Sequence, residues 1–355
     1  FSDDANGALL LEPTATNLVV QSQVFSGYSG SNRIVTDNSI VSPDGTVTGA
    51  ILADNGLGGT SSVQVFESVT VDVSSTYTYS VFAKKKDLNF IALRTAAFTT
   101  PGAGQSYFDL NLGTTLGVAT GHTSKIENYG NGWYRCSITF DTDAVDTAGT
   151  IITRLSEDGT TGTVDLDNTS NAYIWGFQFE KNSYATSYIK TVGTAQTRVA
   201  DTASGSGNST VINSTQGVLY AEMSALSNDG TERYLSLSDG SFTNRVSMYY
   251  SSSTGIIGAR IVVGGASVFL NAPSQIQTNN NKIAIKWKLN DYKIYINGVQ
   301  VASNVTGGTF PSSTLSELSF NDGGTGVAYM NANVKSVQVY TTALSDAELI
   351  SLTTI

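Results

Sequence analysis

The chain has 355 residues, a length that suggests two domains, each large enough to bury a core without disulfide or metal support. Its 19 Lys plus Arg against 29 Asp plus Glu give a formal charge of −10, which repels a phosphate backbone and argues against a nucleic-acid partner. No apolar run reaches the ~20 residues that a membrane-spanning helix needs, and no signal-peptide pattern opens the chain.

Short alternating runs separated by Gly, Asn, Asp and Ser clusters predict an all-β protein built of two antiparallel sandwiches. In the first half the predicted strands are Leu9–Asn17, Tyr77–Lys84, Phe90–Ala96, Trp133–Phe140 and Ala172–Phe179. We assign this first domain to residues 1–201. The chain begins without a methionine and enters a strand-like run almost at once, so we expect an upstream segment.

Two of these strands carry residues predicted to lie in the core or to contact a ligand. In the fourth strand the alternation places Cys136 on the apolar face, which predicts a buried, inert thiol, and places Trp133 and Arg135 on the other face. In the fifth strand we interpret one apolar stripe as core. Its members are Tyr173, Trp175, Phe177 and Phe179.

Residues 202–214 are small and polar, with little apolar surface to bury, and are predicted to be a linker. Residues 215–355 then predict a second sandwich, because strand candidates follow one another at regular spacing. These candidates are Gly217–Met223, Tyr234–Ser238, Arg245–Tyr250, Ile256–Val263, Lys282–Leu289, Tyr292–Ile296 and Val299–Ala302.

Two turns and one helix are predicted in the second domain. Asn290-Asp291 reads as a two-residue hairpin turn, which pairs Leu289 with Tyr292 and makes Trp287 a core residue, and the same register pairs Ile285 with Ile296. Asn297-Gly298 is a second turn that requires positive φ. Helix is predicted from Ser345, whose side chain can cap the free amides of the following turn.

Several segments, in order, resemble a family of structural proteins encoded by tailed phages, especially marine ones. The matching segments are Gly7–Leu18, Ser42–Gly45, Gly130–Arg135, Tyr173–Glu180, Ala185–Thr191 and Thr197–Asp201. The resemblance implies that the first domain is a jelly roll of the carbohydrate-binding type. Tyr292–Val299 and Leu344–Glu348 resemble the laminin-G/concanavalin-A-like superfamily, which implies that fold for the second domain.

The phage resemblance implies a tail fibre, tail-associated or head fibre protein on the virion surface. Such a protein is often a homotrimer that contacts other virion proteins and the polysaccharide of the host cell. No residue-level role is carried over, because the matching motifs are mostly turn and core positions. Two alternatives stay open: a purely structural or capsid-decorating subunit, and the accessory carbohydrate-binding region of a secreted polysaccharide-degrading enzyme.

The sequence offers little for catalysis. His122 is the only histidine and is expected in a surface loop, although a Ser-His-Asp triad that uses it stays open. One His and one Cys cannot build the usual zinc site. The paired-carboxylate run that concanavalin-A-like hydrolases place along one strand is missing. We therefore predict a non-enzymatic protein that needs no cofactor.

Two acidic loops are predicted to be solvated, with a structural Ca²⁺ ion as the alternative, because Asp is common in turns and neither loop has EF-hand spacing. The loops contain Asp141, Asp143 and Asp146, and Asp165 and Asp167.

Aromatic and polar residues on non-core faces are the candidate glycan contacts. The main set lies on adjacent strands of the second domain and at their turn, and comprises Tyr234, Asp239, Asn244, Arg245 and Tyr249. A second set is Trp133 with Arg135, for which the alternative is a Trp packed under a loop. The rival surface for acidic polysaccharide is a basic face of Lys286, Lys288 and Lys293. For both second-domain sets the alternative is an ordinary solvated sheet face.

Overall fold

The structure, a computed structural model, describes residues 7–100, 102–253, 255–324 and 326–355. Strand accounts for 49% of the chain and helix for 2%, and the sheets are antiparallel, so the predicted all-β class is confirmed. The elements in chain order are β1 (Leu9–Leu11), β2 (Ala15–Asn17), β3 (Ser29–Ser31), β4 (Arg33–Val41), β5 (Val47–Asp54), β6 (Thr60–Ser61), β7 (Gln64–Thr70), β8 (Thr76–Lys85), β9 (Phe90–Ala96), β10 (Gly104–Asp109), β11 (Thr114–Leu116), β12 (Thr123–Asn128), β13 (Trp133–Asp141), β14 (Ala148–Ser156), β15 (Val164–Asp165), β16 (Asn171–Glu180), β17 (Gln196–Arg198), β18 (Gln216–Ala225), β19 (Arg233–Ser238), β20 (Arg245–Tyr250), β21 (Ile257–Val263), β22 (Ala266–Ala272), β23 (Asn281–Lys288), β24 (Tyr292–Ile296), β25 (Val299–Asn304), β26 (Glu317–Ser319), β27 (Ala332–Tyr340) and α1 (Asp346–Thr353).

The chain divides into two compact units whose borders differ from the predicted domains. The first unit is Thr14–Val199, and the second unit combines residues 7–13 with residues 200–355. The predicted first strand is split by this division. Its beginning, β1, pairs with β27 of the second unit, with Leu9 opposite Val334. An apolar run at the start of the chain thus completes the edge of a sheet formed mostly by the far end of the sequence.

The segment 202–214, predicted to be a linker, packs against the second unit. Ser206 exchanges both backbone hydrogen bonds with Leu318, at 3.0 and 2.7 Å. Ile212 is buried in the core of the second unit. Because one apolar side chain and a few backbone hydrogen bonds are enough to fix a short polar segment, its composition alone did not reveal this attachment.

The first unit has two six-stranded sheets, ordered β11-β10-β9-β14-β7-β3 and β12-β13-β8-β16-β5-β4. Apolar side chains from both sheets form one core, to which Leu93 and Ile151 contribute from one sheet and Tyr79 and Ile138 from the other. Cys136 is fully buried in this core, and burial raises the pKa of its thiol well above the usual range. The predicted inert thiol is confirmed as buried.

A β-bulge in β16 divides the apolar stripe that was predicted to be continuous. The register with β8 shifts just after Trp175, and the following Gly176 has a φ of +64°. Phe177 and Phe179 face the main core, whereas Trp175 belongs to a separate small cluster against which Tyr173 packs. The prediction of a single stripe is therefore wrong, because the extra residue of a bulge reverses the alternation of faces.

The second unit also has two sheets, ordered β1-β27-β18-β23-β24-β25 and β22-β21-β20-β19-β26. Its core takes Leu219 and Ile285 from the first of these sheets and Leu235 and Met248 from the second. Trp287 lies in this core as predicted, and its indole N–H donates to the Ser214 carbonyl at 3.1 Å.

The hairpin of β23 and β24 forms, but its predicted register is wrong by two residues. Ile285 lies opposite Ile294 instead of Ile296. The two-residue turn lies one residue earlier than predicted, at Leu289 and Asn290, and the Asp291 N–H closes it by donating to the Lys288 carbonyl at 2.9 Å. Because a shift of two residues keeps each side chain on its face, the core prediction for this strand still holds.

The predicted helix and the second turn are both confirmed. Ser345 caps α1 through a capping box, in which Glu348 accepts from the Ser345 N–H at 2.7 Å. Asn297 and Gly298 both have positive φ, and Ile296 pairs across them with the next strand. In the described residues α1 is the one helix, and eight residues are too few to cross a bilayer.

Candidate functional site

The candidate site lies on the non-core face of the five-stranded sheet of the second unit. Alternation along β19, β20 and β21 sends Leu235 and Met248 into the core and their neighbours to the opposite face. The strand register aligns these neighbours in three cross-strand rows, namely Tyr234–Tyr249–Gly258, Ser236–Ser247–Arg260 and Ser238–Arg245–Val262.

This face is not an open, solvated sheet, because residues 320–324 and 326–330 fold over part of it. Ser236 donates through its hydroxyl to the Asn321 carbonyl at 2.8 Å. Gly323 lies so close to the sheet that an added Cβ would come within 3.0 Å of the Ser236 and Ser238 side chains. Small residues on both sides of the contact therefore allow the backbone of this segment to rest on the strands.

The part of the face that stays uncovered is a concave pocket of about 280 Å³. Tyr234 and Arg245, two of the five residues predicted for this face, line it. The full lining consists of Glu232, Tyr234, Phe242, Arg245, Arg260, Asp322, Val327 and Ala328. Phe242 and Val327 are exposed, with Phe242 at 41% of its surface, whereas Tyr234 and Arg245 are buried. The pocket therefore combines a partly apolar rim with a polar floor.

Arg245 is the central cation of the floor, and only 3% of its surface is exposed. Its guanidinium carbon lies 5.0 Å from the ring centre of Phe242 and 5.9 Å from that of Tyr234. The guanidinium donates to the Asp322 carbonyl, but its Nε has no hydrogen-bond partner in the part of the chain that the structure describes. Burial lowers the pKa of Arg245, and the nearby charge of Arg260 lowers it further.

Tyr249 lies behind Tyr234 and does not line the pocket. The two rings stack with centroids 5.3 Å apart at 27°, and the Tyr249 hydroxyl donates to the Asn271 side chain. Gly258 makes room for the Tyr249 ring, since an added Cβ would meet it at 2.6 Å. Burial raises the pKa of Tyr249 to about 12, so it stays a neutral donor. Its predicted role as a direct contact changes to support of Tyr234.

Asp239 and Asn244, also predicted for the site, form hydrogen bonds that stabilise their own turn. The Asp239 carboxylate accepts from the Ser241 N–H at 3.0 Å and from the Asn244 amide at 2.9 Å. The Asn244 side-chain oxygen accepts from the Gly264 N–H at 3.0 Å. These hydrogen bonds fix the turn that carries Phe242, and neither residue lines the pocket.

Several residues that line the pocket were not predicted as site residues from the sequence, among them Arg260, Phe242, Asp322 and Val327. Arg260 could have been found, because alternation along β21 places it on the same face as Arg245. Phe242 sits in the turn that was noticed only for its polar residues. Asp322 and Val327 arrive from a segment some eighty residues away, and no local pattern indicates that it folds over this sheet.

The predicted sugar contact of Trp133 and Arg135 is wrong, because the structure buries both side chains. The Trp133 indole N–H donates to the Val41 carbonyl at 3.1 Å. Arg135, with 1% of its surface exposed, donates to the Ser80 hydroxyl at 3.0 Å and to the Thr186 carbonyl at 2.5 Å. The second face of this strand is covered by other parts of the chain, so neither residue is offered to a ligand.

The predicted basic face is also not an open surface. Lys286 is buried and makes an ion pair with Asp291 at 2.6 Å. Lys293 makes one with Asp346, at the start of α1, at 2.7 Å. Only Lys288 of the three is exposed. The helix that packs on this face, together with two carboxylates, therefore removes the convergent positive charge that the sequence suggested.

His122 is buried instead of lying at the surface of a loop, so that expectation is wrong. Only 7% of its surface is exposed, and its two ring nitrogens are hydrogen-bonded to the Thr95 and Ser106 hydroxyls, both at 2.9 Å. Burial lowers its pKa to about 4. The imidazole is therefore neutral at physiological pH.

The carboxylates of the acidic loops accept hydrogen bonds from backbone N–H groups and from threonine hydroxyls. Asp146 accepts from the Thr99 N–H at 2.9 Å, and Asp143 accepts from the Val145 N–H at 2.8 Å. Asp165 accepts from the Thr60 hydroxyl at 2.7 Å. Within the described ranges of the chain, no group of three or more His, Cys, Asp or Glu side chains is arranged to hold a metal ion.

A larger pocket of about 480 Å³ lies in the first unit, beside Val24, Tyr28, Phe66 and Glu67. It is mainly apolar, and among the described residues that line it Glu67 is the one carboxylate and none is cationic. Burial raises the pKa of Glu67. The second-unit pocket brings together more convergent polar groups, which is the better mark of a binding site.

Comparison with solved structures gives similar folds over less than half of the chain. The CBM40 of the Ruminococcus gnavus IT-sialidase has 21% identity and a TM-score of 0.36, covering 43% of this chain and 95% of that chain. The SAP-like pentraxin of Limulus polyphemus has 14% identity and a TM-score of 0.34, covering 41% and 72%. The CBM66 of Bacillus subtilis has 15% identity and a TM-score of 0.28, covering 44% and 92%.

The comparison with curated proteins gives no match. A family model does match part of the second unit. Residues 208–350 match Laminin_G_3, described as the concanavalin A-like lectin/glucanases superfamily, and this range includes every residue that lines the second-unit pocket.

Proposed function

We propose that the second unit is a non-catalytic glycan-binding module and that its ligand occupies the pocket of Tyr234, Phe242, Arg245 and Arg260. The observation that carries this proposal is the exposed Phe242 ring above buried polar groups on one sheet face. Sugar sites combine an aromatic surface, which packs against the C–H face of a ring, with fixed polar groups that bind its hydroxyls. The family match of residues 208–350 supports the same reading.

The polar groups of the pocket can bind a sugar hydroxyl both as a hydrogen-bond donor and as an acceptor. Arg245 and Arg260 are donors, and Glu232 and Asp322 carry carboxylates that accept. At about 280 Å³ the pocket is slightly below the roughly 300–1,000 Å³ of typical small-molecule sites, so we assign it to a single sugar unit. Such shallow contacts give single-site dissociation constants on the order of micromolar to millimolar.

Phe242→Ala tests this assignment. We expect glycan-array binding to weaken a few-fold to about tenfold, since an aromatic contact contributes ~0.5–1.5 kcal/mol beyond the area it buries. The ring is substantially exposed, so the fold should be unaffected. Leu289→Ala is the matched control, because it removes another exposed apolar side chain of the same unit, in the β23–β24 turn. Unchanged binding of the Phe242 variant, with the control also unchanged, would remove the pocket from the proposal.

We further propose that the chain is displayed on a tailed-phage virion, as an appendage that recognises host surface polysaccharide. The ordered motifs from Gly7–Leu18 to Thr197–Asp201 support this part of the proposal. A homotrimer would raise the apparent affinity of weak sites without any new contact. Light scattering should then give three times the 37.3 kDa of one chain, and antibody-gold labelling should mark the particles. A monomer that is absent from purified virions would contradict it.

A further inference from the structure

Arg245 is a buried cation, and the Asp322 carboxylate acts on it electrostatically without forming an ion pair with it. Among the described residues it has no ion pair, and its one hydrogen bond goes to a main-chain oxygen, that of Asp322. The Asp322 carboxylate itself accepts from the Gly324 N–H. Burial of an unpaired charge is strongly unfavourable, so a nearly inaccessible guanidinium without an ion pair requires an explanation.

Arg233, in the same unit, is a buried arginine that does not line the pocket, and it can be compared with Arg245. Arg233, at the start of β19, has 2% of its surface exposed. It donates to both carboxylate oxygens of Asp229, at 2.8 and 2.9 Å. Arg233 therefore has the two-oxygen partner that Arg245 lacks, although among the described residues the Arg233 Nε also has no hydrogen-bond partner.

A second cation without an ion pair among the described residues, the partly exposed Arg260, lies beside Arg245. Arg260 lines the pocket and donates to the Ser267 hydroxyl at 3.3 Å, while its guanidinium carbon lies 4.9 Å from the Phe269 ring centre. It makes no ion pair within the described parts of the chain, and its Nε also lacks a partner. The two like charges repel each other, which the lowered pKa of Arg245 reflects after the larger effect of burial.

The carboxylates of the pocket offset this repulsion only in part, because the charge of Asp322 raises the pKa of Arg245 but the net shift remains downward. Glu232 is exposed at the rim, and neither it nor Asp322 forms an ion pair with either arginine. An anion that carries two or three oxygens can bind both guanidinium groups, since the planar fork of arginine matches carboxylate and sulfate oxygens. Such a ligand would occupy the space between the two cations and satisfy their free donors.

We infer that the pocket selects sugars that carry an oxyanion, a carboxylate or a sulfate ester, and that Arg245 and Arg260 bind this group. The inference rests on the proposed glycan-binding function and specifies its ligand class. Because the whole chain carries a formal charge of −10, long-range attraction cannot supply the selectivity. It must come from these two side chains.

Two matched pairs of probes test the inference on the full chain by isothermal titration. One pair is a galacturonic acid oligosaccharide and its carboxyl-reduced form, and the other is a sulfated galactan oligosaccharide and its desulfated form. We expect the charged member of at least one pair to bind about tenfold or more tightly than its neutral partner, since a charge-assisted hydrogen bond contributes ~1.5–3 kcal/mol. The pair that shows the preference identifies the source of the oxyanion.

Arg260→Gln should reduce the preference to near unity, and Arg245→Gln should do the same. Arg260 is partly exposed, so its variant should fold even if substitution of the buried Arg245 unfolds the second unit. Lys335→Gln, which removes one positive charge from an exposed position on β27, should leave the preference unchanged. A preference that survives both arginine variants overturns the assignment.

Different results would contradict the oxyanion inference and the glycan-binding proposal. Equal binding of charged and neutral partners would overturn the oxyanion inference and leave glycan binding intact. If no member of either pair binds, and a wider glycan array also gives nothing, the glycan-binding function itself is contradicted.

Discussion

Arg135→Leu is expected to lower the free energy of unfolding of the first unit by about 3–5 kcal/mol, the usual cost of removing one partner from a buried charged network. Arg135 is buried and donates to the Ser80 hydroxyl and the Thr186 carbonyl. Its positive charge also stabilises the Glu180 carboxylate. The substitution therefore leaves unsatisfied acceptors and an uncompensated carboxylate inside the unit.

Glu180 shows why the loss should be large. It is buried, and its oxygens accept from the Gln178 amide at 2.7 Å and from the Thr186 N–H at 2.9 Å. Burial raises its pKa above the usual range, and Arg135 opposes that rise. Without Arg135 the carboxylate should take up a proton at a still higher pH, so the variant should recover part of its stability as the pH falls.

Urea unfolding at pH 7 measures this effect. Lys125→Leu is the control, since it removes a cation from the exposed Lys125–Glu127 pair, whose oxygen and nitrogen are 2.7 Å apart. An exposed pair contributes at most ~1 kcal/mol, so the control should lie near the wild type. A loss for Arg135→Leu no greater than that of the control would show that the buried network is not needed for stability.

His122 should make the first unit less stable by about 3 kcal/mol as the pH falls from about 6.5 to about 4. Burial holds its pKa in the folded chain at about 4, against an ordinary value of 6.5. The unfolded chain therefore takes up the proton first, and each pKa unit corresponds to ~1.4 kcal/mol. The stabilising contribution of the neutral imidazole is fully present above pH 6.5 and is lost as the pH falls through this window.

The difference between the wild type and His122→Gln isolates this effect. Glutamine keeps a donor and an acceptor near Thr95 and Ser106 but does not titrate. Carboxylates titrate in both proteins and cancel in the difference. Unfolding free energies measured between pH 4 and pH 7 should therefore converge as the pH falls. Parallel curves for the two proteins would mean that His122 is accessible to protons in the folded state.

Local periodicity predicted the strands and their faces well. β9, β20 and β24 match the predicted bounds, and alternation along β19 and β20 placed Tyr234 and Arg245 correctly on the non-core face. Alternation carries this information because successive side chains in a strand point to opposite sides of the sheet. The capping residues of α1 were likewise a local signal.

The failures concern what covers a face, which depends on contacts between distant parts of the chain. Trp133 and Arg135 were predicted to be accessible to a glycan because they lie on the face of their strand that does not carry Cys136, but the structure buries that face as well. Asp322, Val327 and Ala328 convert an apparently open sheet face into a pocket. Pairing of β1 with β27 joins residues more than three hundred positions apart, and no local pattern specifies such a partner.

A bulge and a turn account for the remaining errors. Gly176 reverses the alternation within β16, and glycine in a strand signals such a site only weakly. The β23–β24 turn lies one residue earlier than predicted, which changed the register by two residues but not the faces. Site prediction was therefore limited mainly by loop placement and by the identity of the lining residues that loops supply.

A crystal structure of the full chain soaked with its tightest-binding oligosaccharide tests the central claim, that the second-unit pocket is the glycan site. The account predicts one sugar ring against Phe242, with ligand oxygens within about 3.2 Å of the Arg245 and Arg260 guanidinium nitrogens. Sugar bound elsewhere, whether in the larger pocket of the first unit or near Lys288, with this pocket empty, would contradict it.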